Sequence, residues 1–125
     1  MNKETFELFS TEYASILVEV HKYENGKSLY FLVESSGYKG HGPLYLRKDV
    51  EKYIEELTTM SSSLSGECCI SDTESTTFFI RIFFEERELW INGNIGDYSH
   101  HALAFAFKVD QTLLMPFVNI LEQLL

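Results

Sequence analysis

The chain has 125 residues, 45% of them hydrophobic and 14% aromatic, and its 19 acidic and 10 basic side chains give a net charge of −9. This length and apolar content predict one domain with a substantial core and exclude an intrinsically disordered protein. The charge argues against direct nucleic-acid binding and favours a basic protein partner, although it would also serve simply to keep an aromatic-rich domain soluble.

The first 43 residues predict a β-rich start. Residues 6–9 form a short apolar run typical of an edge strand, and two longer apolar segments, 14–20 and 29–34, flank Asn25-Gly26. Asn-Gly favours the type I′ turn of a two-residue hairpin, so these two segments are predicted to pair. The glycine-rich stretch that follows, up to Pro43, predicts a turn or bulge.

Residues 46–67 predict the helix around which the other elements are organised. Their apolar side chains recur at spacings of three and four, which places them on one stripe of a helix: Val50, Tyr53, Ile54, Leu57, Met60 and Leu64. Charged side chains occupy the opposite side, so we expect the helix to lie on a sheet with its back in water. Gly66 is a natural stop.

The second half predicts more strands and a closing helix. Residues 68–70, 76–84, 89–95 and 102–109 are rich in β-branched and aromatic side chains, and 85–88 is a charged hairpin loop. The stretch 110–125 predicts a second amphipathic helix capped by Asp110 or Thr112, with Pro116 in its first turn. The fold class is therefore α+β, an antiparallel sheet with two amphipathic helices packed on one face.

Eight apolar residues are predicted to be buried together between the sheet and the helices: Val50, Ile54, Leu57, Leu64, Phe105, Phe107, Phe117 and Leu121. In 78–84, alternation assigns Phe78, Ile80, Ile82 and Phe84 to the core face. The alanines that alternate along 102–109 predict a face that packs closely against something or lies at the sheet centre.

The titratable residues give weak indications of chemistry. Adjacent Cys68 and Cys69 should face opposite ways on a strand and not pair, so we expect one core thiol, one surface thiol and no metal or cofactor. The N-terminus lacks the apolar run of a signal peptide, and no run approaches the roughly 18 residues of a membrane span. A cytoplasmic protein without a membrane partner is therefore expected.

Residues 44–125 resemble the WapI-type immunity proteins, cytosolic antidotes to the toxin tips of contact-dependent or polymorphic toxin systems. Three pieces carry the resemblance in order: the helix EKYIEELTTMSSSLSGE, the strand pair FFIRI and LWINGNI, and the segment ALAFAFKVDQTLLMPFVNILEQLL. The resemblance implies stoichiometric binding to a cognate toxin domain, without catalysis. For the founding group of the family that toxin is an RNA-cleaving domain.

A basic toxin would be attracted by exposed, clustered acids, because salt screens charges beyond about 8–10 Å. The hairpin loop with Glu85, Glu86 and Glu88 is the preferred candidate, since a hairpin tip can enter a cleft and only Arg87 opposes its charge. Possible neighbours on adjacent loops are Asp72, Glu74 and Asp97. The solvent side of the first helix is the alternative surface.

Two other classes of function stay open: a non-toxin adaptor, and a small enzyme that uses the loop 97–101 with its Asp97, Ser99, His100 and His101. Neighbouring histidines on an extended chain face opposite ways and cannot chelate one metal together. A serine next to a histidine in sequence is no evidence for a catalytic dyad, since such groups are assembled in space. His21 and His41 are interpreted as isolated surface or loop residues, and Trp90 as either an interface anchor or a buried side chain.

Overall fold

The computed structural model describes residues 2–75, 77–96 and 101–125. It contains eight strands and two α-helices in these residues, listed here in chain order: β1 Asn2–Ser10, β2 Ala14–Tyr23, β3 Gly26–Ser35, β4 Tyr38–Leu44, α1 Val50–Ser63, β5 Glu67–Ser71, β6 Phe79–Glu85, β7 Glu88–Gly96, β8 Ala102–Val109 and α2 Leu114–Glu122. All strand pairs are antiparallel. The predicted α+β class, with antiparallel strands and two helices, is confirmed.

The strands divide into two sheets, where one sheet had been expected. Each sheet is a four-stranded meander, in the orders β1-β2-β3-β4 and β5-β6-β7-β8. Helix α1 separates them in sequence, packs against α2 and contacts β5, while α2 also contacts β1. The helix pair therefore bridges the two sheets.

The core lies between the inner faces of the two sheets and the helix pair. Leu57 of α1 and Phe117 of α2 are fully buried, and the Phe117 ring lies 6.2 Å from that of Phe31 on β3. Ile80 and Ile82 have no exposed surface and Phe78 is buried, which confirms the predicted core face of residues 78–84. Of the eight residues predicted to be buried together, Ile54 and Phe107 are only partly buried.

Leu64 was predicted to be buried and is 46% exposed. It is the residue after α1 and has a left-handed backbone with φ 55°, so the helical periodicity that assigned it to the stripe ends one residue earlier. Helix α1 also begins later in the chain than predicted, at Val50. Its N-cap, Asp49, is left-handed too, with φ 66°, and its side chain makes no capping hydrogen bond.

Strand β4 occupies the glycine-rich stretch that sequence reasoning had assigned to a turn or bulge. It is an edge strand, where Pro43 is tolerated. A β-carbon at Gly40 would overlap Leu103, and one at Gly42 would overlap the backbone of Gly96. The glycines therefore let the edge of the first sheet lie directly against β7 and β8 of the second.

The predicted β2–β3 hairpin is present, but its turn residues are different. Tyr23 pairs with Gly26, so the turn consists of Glu24 and Asn25, and neither has the positive φ of a type I′ turn. The alanines of β8 also differ from expectation. Strand β8 is an edge strand, and Ala102, Ala104 and Ala106 are exposed.

Pro116 and the two cysteines lie as predicted, whereas Asp110 caps a 3-10 turn ahead of α2 and not α2 itself, whose N-cap Leu113 makes no side-chain hydrogen bond. Asp110 caps a 3-10 turn at Gln111–Leu113 by accepting a hydrogen bond from the Thr112 amide at 2.9 Å, and Pro116 lies in the first turn of α2. Cys68 is buried and Cys69 is exposed, and both are free thiols. Burial raises the pKa of the Cys68 thiol.

Two leucines on one helix test this packing. Leu57→Ala should lower the unfolding free energy by about 2–5 kcal/mol, because it leaves a cavity in the core. Leu64→Ala removes the same atoms from an exposed position and should change it by less than about 0.5 kcal/mol. Urea midpoints measure both, and equal midpoints for the two variants would contradict the described core.

Candidate partner-binding surface

The β6–β7 hairpin carries the acidic loop predicted to bind a partner. Glu85 and Glu88 form the last pair of the ladder, so Glu86 and Arg87 are the two turn residues. All four side chains are exposed. The loop therefore meets the requirement of exposed, clustered charge, with three carboxylates against one guanidinium.

Both turn residues have left-handed backbones, with φ 51° at Glu86 and φ 69° at Arg87. A type I′ turn requires positive φ at both positions, and Asn-Gly is the sequence that adopts it most easily. For other residues the left-handed conformation costs roughly 1–2 kcal/mol each. Two charged residues thus occupy turn positions at which asparagine and glycine would have less backbone strain.

Aromatic side chains lie directly behind the acids on the same face of the sheet. Because side chains alternate along a strand, Phe83 and Glu85 point to one face, and their partners Trp90 and Glu88 point there too. Phe83 and Trp90 are half-buried, so Trp90 is neither fully buried nor fully exposed. We call this set, Phe83, Glu85, Glu86, Glu88 and Trp90, the hairpin surface.

Two basic groups border the hairpin surface. Lys108 of β8 is paired across the sheet with Trp90, and its Nζ lies 3.4 Å from Glu88 Oε1. The Arg81 guanidinium stacks 4.0 Å above the Phe83 ring and donates from Nε to Glu67 Oε2 at 2.7 Å. Exposed ion pairs of this kind contribute at most about 1 kcal/mol, so the acids stay available to a partner.

Asp72 does not belong to this surface. It is 4% exposed, and its Oδ1 accepts hydrogen bonds from the backbone amides of Tyr45 at 2.9 Å and Glu74 at 3.3 Å. The carboxylate fastens the segment before α1 to the loop after β5, which is a structural role. The expectation of an exposed acid at position 72 was wrong.

Glu74 is exposed but lies at the far end of the sheet. It forms an ion pair with Arg47 at 2.9 Å. It follows the end of β5 that pairs with Phe79, six residues along β6 from Glu85, a separation of roughly 20 Å at 3.3 Å per residue. Glu74 is therefore beyond the screening length of the hairpin acids.

Asp97, the third suggested neighbour, lies outside the described residues, as do Ser99 and His100 of the loop considered for catalysis. His101 is described and exposed, at the start of β8. Asp110 follows the other end of β8, about 30 Å from His101 at 3.3 Å per residue. The two residues therefore cannot act on one reacting atom. Among the residues that the structure describes, no three histidines, cysteines or acids are placed to hold a metal ion.

Sequence reasoning missed a polar cluster on the outer face of the first sheet. His21, interpreted as an isolated surface or loop residue, is 9% exposed in β2, where its Nε2 lies 2.8 Å from Glu19 Oε1 and its Nδ1 lies 3.3 Å from the Tyr23 hydroxyl. Its ring stacks on Tyr30 at 5.2 Å, and Tyr30 stacks in turn on His41 and hydrogen-bonds its Nδ1. The alternation of positions 19, 21 and 23 in the sequence indicated that these three side chains share one face of the strand. The strand register, which brings Tyr30 opposite Glu19, adds the aromatic partner.

A scan of the chain against models of known protein families finds no match, and a search of curated proteins finds none either. No helix in the described part of the chain combines the length and the apolar character required to cross a bilayer.

The Glu19–His21 contact generates a pH prediction. The hydrogen bond from His21 is the main cause that lowers the pKa of Glu19 below its ordinary value of 4.5, and Lys3 at 3.5 Å adds to it. A lowered carboxyl pKa stabilises the fold above pH 4.5, and this contribution is lost as the pH falls through the folded-state value.

Glu19→Gln should therefore lower the unfolding free energy at pH 6 and have a progressively smaller effect below pH 4.5. Glu4→Gln is the matched control, because the Glu4 side chain is 56% exposed and pairs with Lys22 at 3.5 Å. Urea unfolding at pH 3, 4, 5 and 6 measures both variants. A Glu19→Gln effect that is constant over this range would contradict the assigned coupling.

Proposed function

We propose that the protein is an immunity protein, which inhibits a cognate toxin domain by stoichiometric binding in the bacterial cytoplasm. The observation that carries the proposal is the strained acidic turn, since Glu86 and Arg87 hold left-handed backbones that favour asparagine and glycine. Strain of this kind recurs where a side chain is needed at a fixed position for binding. The resemblance of residues 44–125 to the WapI-type family supplies the kind of partner.

The hairpin surface has the composition of a binding site for a basic protein. Glu85, Glu86 and Glu88 would speed the encounter with a positively charged domain. Phe83 and Trp90 retain partly exposed rings behind them, and aromatic side chains of this type dominate binding energy at interfaces. Acids at a protruding tip with aromatics at its base suit an inhibitor that enters a cleft.

The genomic neighbour provides the first test. The reading frame immediately upstream should encode a toxin, whose expression alone should arrest growth and whose co-expression with this chain should not. An upstream product that is harmless, or one that still kills when this chain is present in excess, would contradict the proposal. Protection that requires an equimolar amount distinguishes binding from enzymatic inactivation of the toxin.

The charge of the hairpin surface gives the second test. Replacing Glu85, Glu86 and Glu88 by Gln should lower the association rate with the toxin about tenfold or more at low salt and leave the melting temperature nearly unchanged. The matched control replaces Glu51, Glu55 and Glu56 of α1 by Gln, which changes the net charge by the same three units. Surface plasmon resonance at two salt concentrations measures both triple variants.

Equal losses in the two triple variants would show that only net charge matters. A loss confined to the α1 variant would place the partner on the solvent side of that helix. Either outcome would contradict binding through the hairpin surface.

A further inference from the structure

Strand β8 leaves one side of its main chain without a strand partner among the described residues. Each sheet has two edge strands, β1 and β4 in the first sheet and β5 and β8 in the second. Strand β4 contacts β8 at Leu103, on the inner face, and does not pair with it. The unpaired N–H and C=O groups of an edge strand can bind a strand of another chain.

The other three edge strands carry features that oppose such pairing. Proteins protect sheet edges with bulges, prolines, lysines or short strands. Strand β1 has a register shift between Glu7 and Phe9, β4 contains Lys39 and Pro43, and β5 has only 5 residues. Strand β8 has 8 residues without a proline, and its pairing with β7 runs without a register shift. Addition of a further strand is therefore least opposed at β8.

The side chains of β8 are small or apolar up to Lys108, and several are incompletely covered. Those exposed on the outer face are Ala102, Ala104 and Ala106. On the inner face, Leu103 and Phe107 pack against the core but are only half-buried. Lys108 lies 3.4 Å from Glu88, which offsets the one charge of the strand. A neighbouring strand would thus meet a locally neutral edge and remove apolar surface from water.

We propose that two copies of the chain associate by antiparallel pairing of β8 with β8 about a twofold axis. Alternate residues of a strand direct both main-chain groups to the same side, so paired residues in the two copies must both be even-numbered or both odd-numbered. Registers centred on Phe105 or on Ala106 pair the longest parts of β8, residues 102–108 or 103–109. The first places Leu103 opposite Phe107 of the second copy, and both place Lys108 opposite an alanine.

The distribution of charge favours a second copy at this edge over a basic partner. No residue of β8 is acidic, so the strand itself has nothing to attract a basic domain. The acidic hairpin tip lies beside the end of β8, because Leu89 pairs with Val109. Antiparallel pairing places the two tips at opposite ends of the joined strands, which keeps their like charges apart and leaves both tips open.

Sedimentation equilibrium of the whole chain, from micromolar to millimolar concentration, tests the proposal. One added strand pair is a small contact of the kind found in weak complexes, so the dimer should form reversibly as the concentration rises. The average molar mass should increase from that of one chain towards that of two.

A pair of opposite charge variants identifies the contact. The first variant combines Ala104→Glu with Ala106→Glu, and the second combines Ala104→Lys with Ala106→Lys. Like charges directly opposite each other are unfavourable on a sheet, so each variant alone should associate at least tenfold more weakly than the parent. An equimolar mixture of the two should recover the dimer, because opposite charges then face each other. Both side chains are exposed in the single chain, so the melting temperature should change little.

The matched control combines Thr5→Glu with Ser10→Glu, two exposed positions on the edge strand of the other sheet. It adds the same charge as the first variant and should associate like the parent. Equal weakening by the control would show that net charge alone acts, and would contradict pairing through β8.

Three further results would overturn the proposal: a parent chain that stays monomeric over the whole concentration range, a Glu variant that associates as well as the parent, or a mixture that stays monomeric. If the parent is monomeric and the Glu variant binds the toxin more weakly, the edge belongs to the toxin contact. Self-association is measured without the toxin, so its absence would leave the proposed function standing.

Discussion

The close contact between β4 and the second sheet is the constraint on which the architecture depends. Gly40 lies against Leu103, and Gly42 lies against the backbone of Gly96, where no side chain fits. This approach joins two meanders between which the described residues form no strand pairing. It seals one side of the core, while α1 and α2 close another.

The outer faces of the two sheets carry different groups of side chains. On the first sheet, polar and aromatic side chains pack on one another around His21 and Tyr30. On the second, aromatic residues lead to an acidic hairpin tip. The acidic tip belongs to the second sheet and the His21 cluster to the first, so the outer faces of the two sheets differ in composition.

Much of the fold could be predicted because local patterns dominate it. The helical stripe containing Leu57 and the alternation of Ile80 and Ile82 are both visible in sequence, and both are buried as expected. The glycine-rich β4 could not be predicted, because glycine has low strand propensity and its presence there depends on contacts with Leu103 and Gly96, which are distant in the sequence. The division into two sheets likewise depends on strand pairing that the sequence does not specify.

The candidate site likewise combines features that could be predicted from local sequence with features that depend on tertiary structure. The exposure of Glu85, Glu86 and Glu88 follows from a charged loop between two strands, and it could be read locally. The burial of Asp72 and the grouping of His21 with Tyr30 and His41 depend on register and tertiary packing, which a single sequence does not specify. The lack of a hydrogen-bond partner for the buried Ser28 hydroxyl can be seen only in the three-dimensional structure.

The central claim is that the strained turn is kept for the charges it presents. Replacing Glu86-Arg87 by Asn-Gly, with Glu85 and Glu88 unchanged, tests it most directly in one variant. The account predicts an unfolding free energy that rises by about 1–2 kcal/mol or more as the left-handed strain is relieved, together with weaker toxin binding. A variant that is more stable and binds the toxin as tightly as the parent would contradict it.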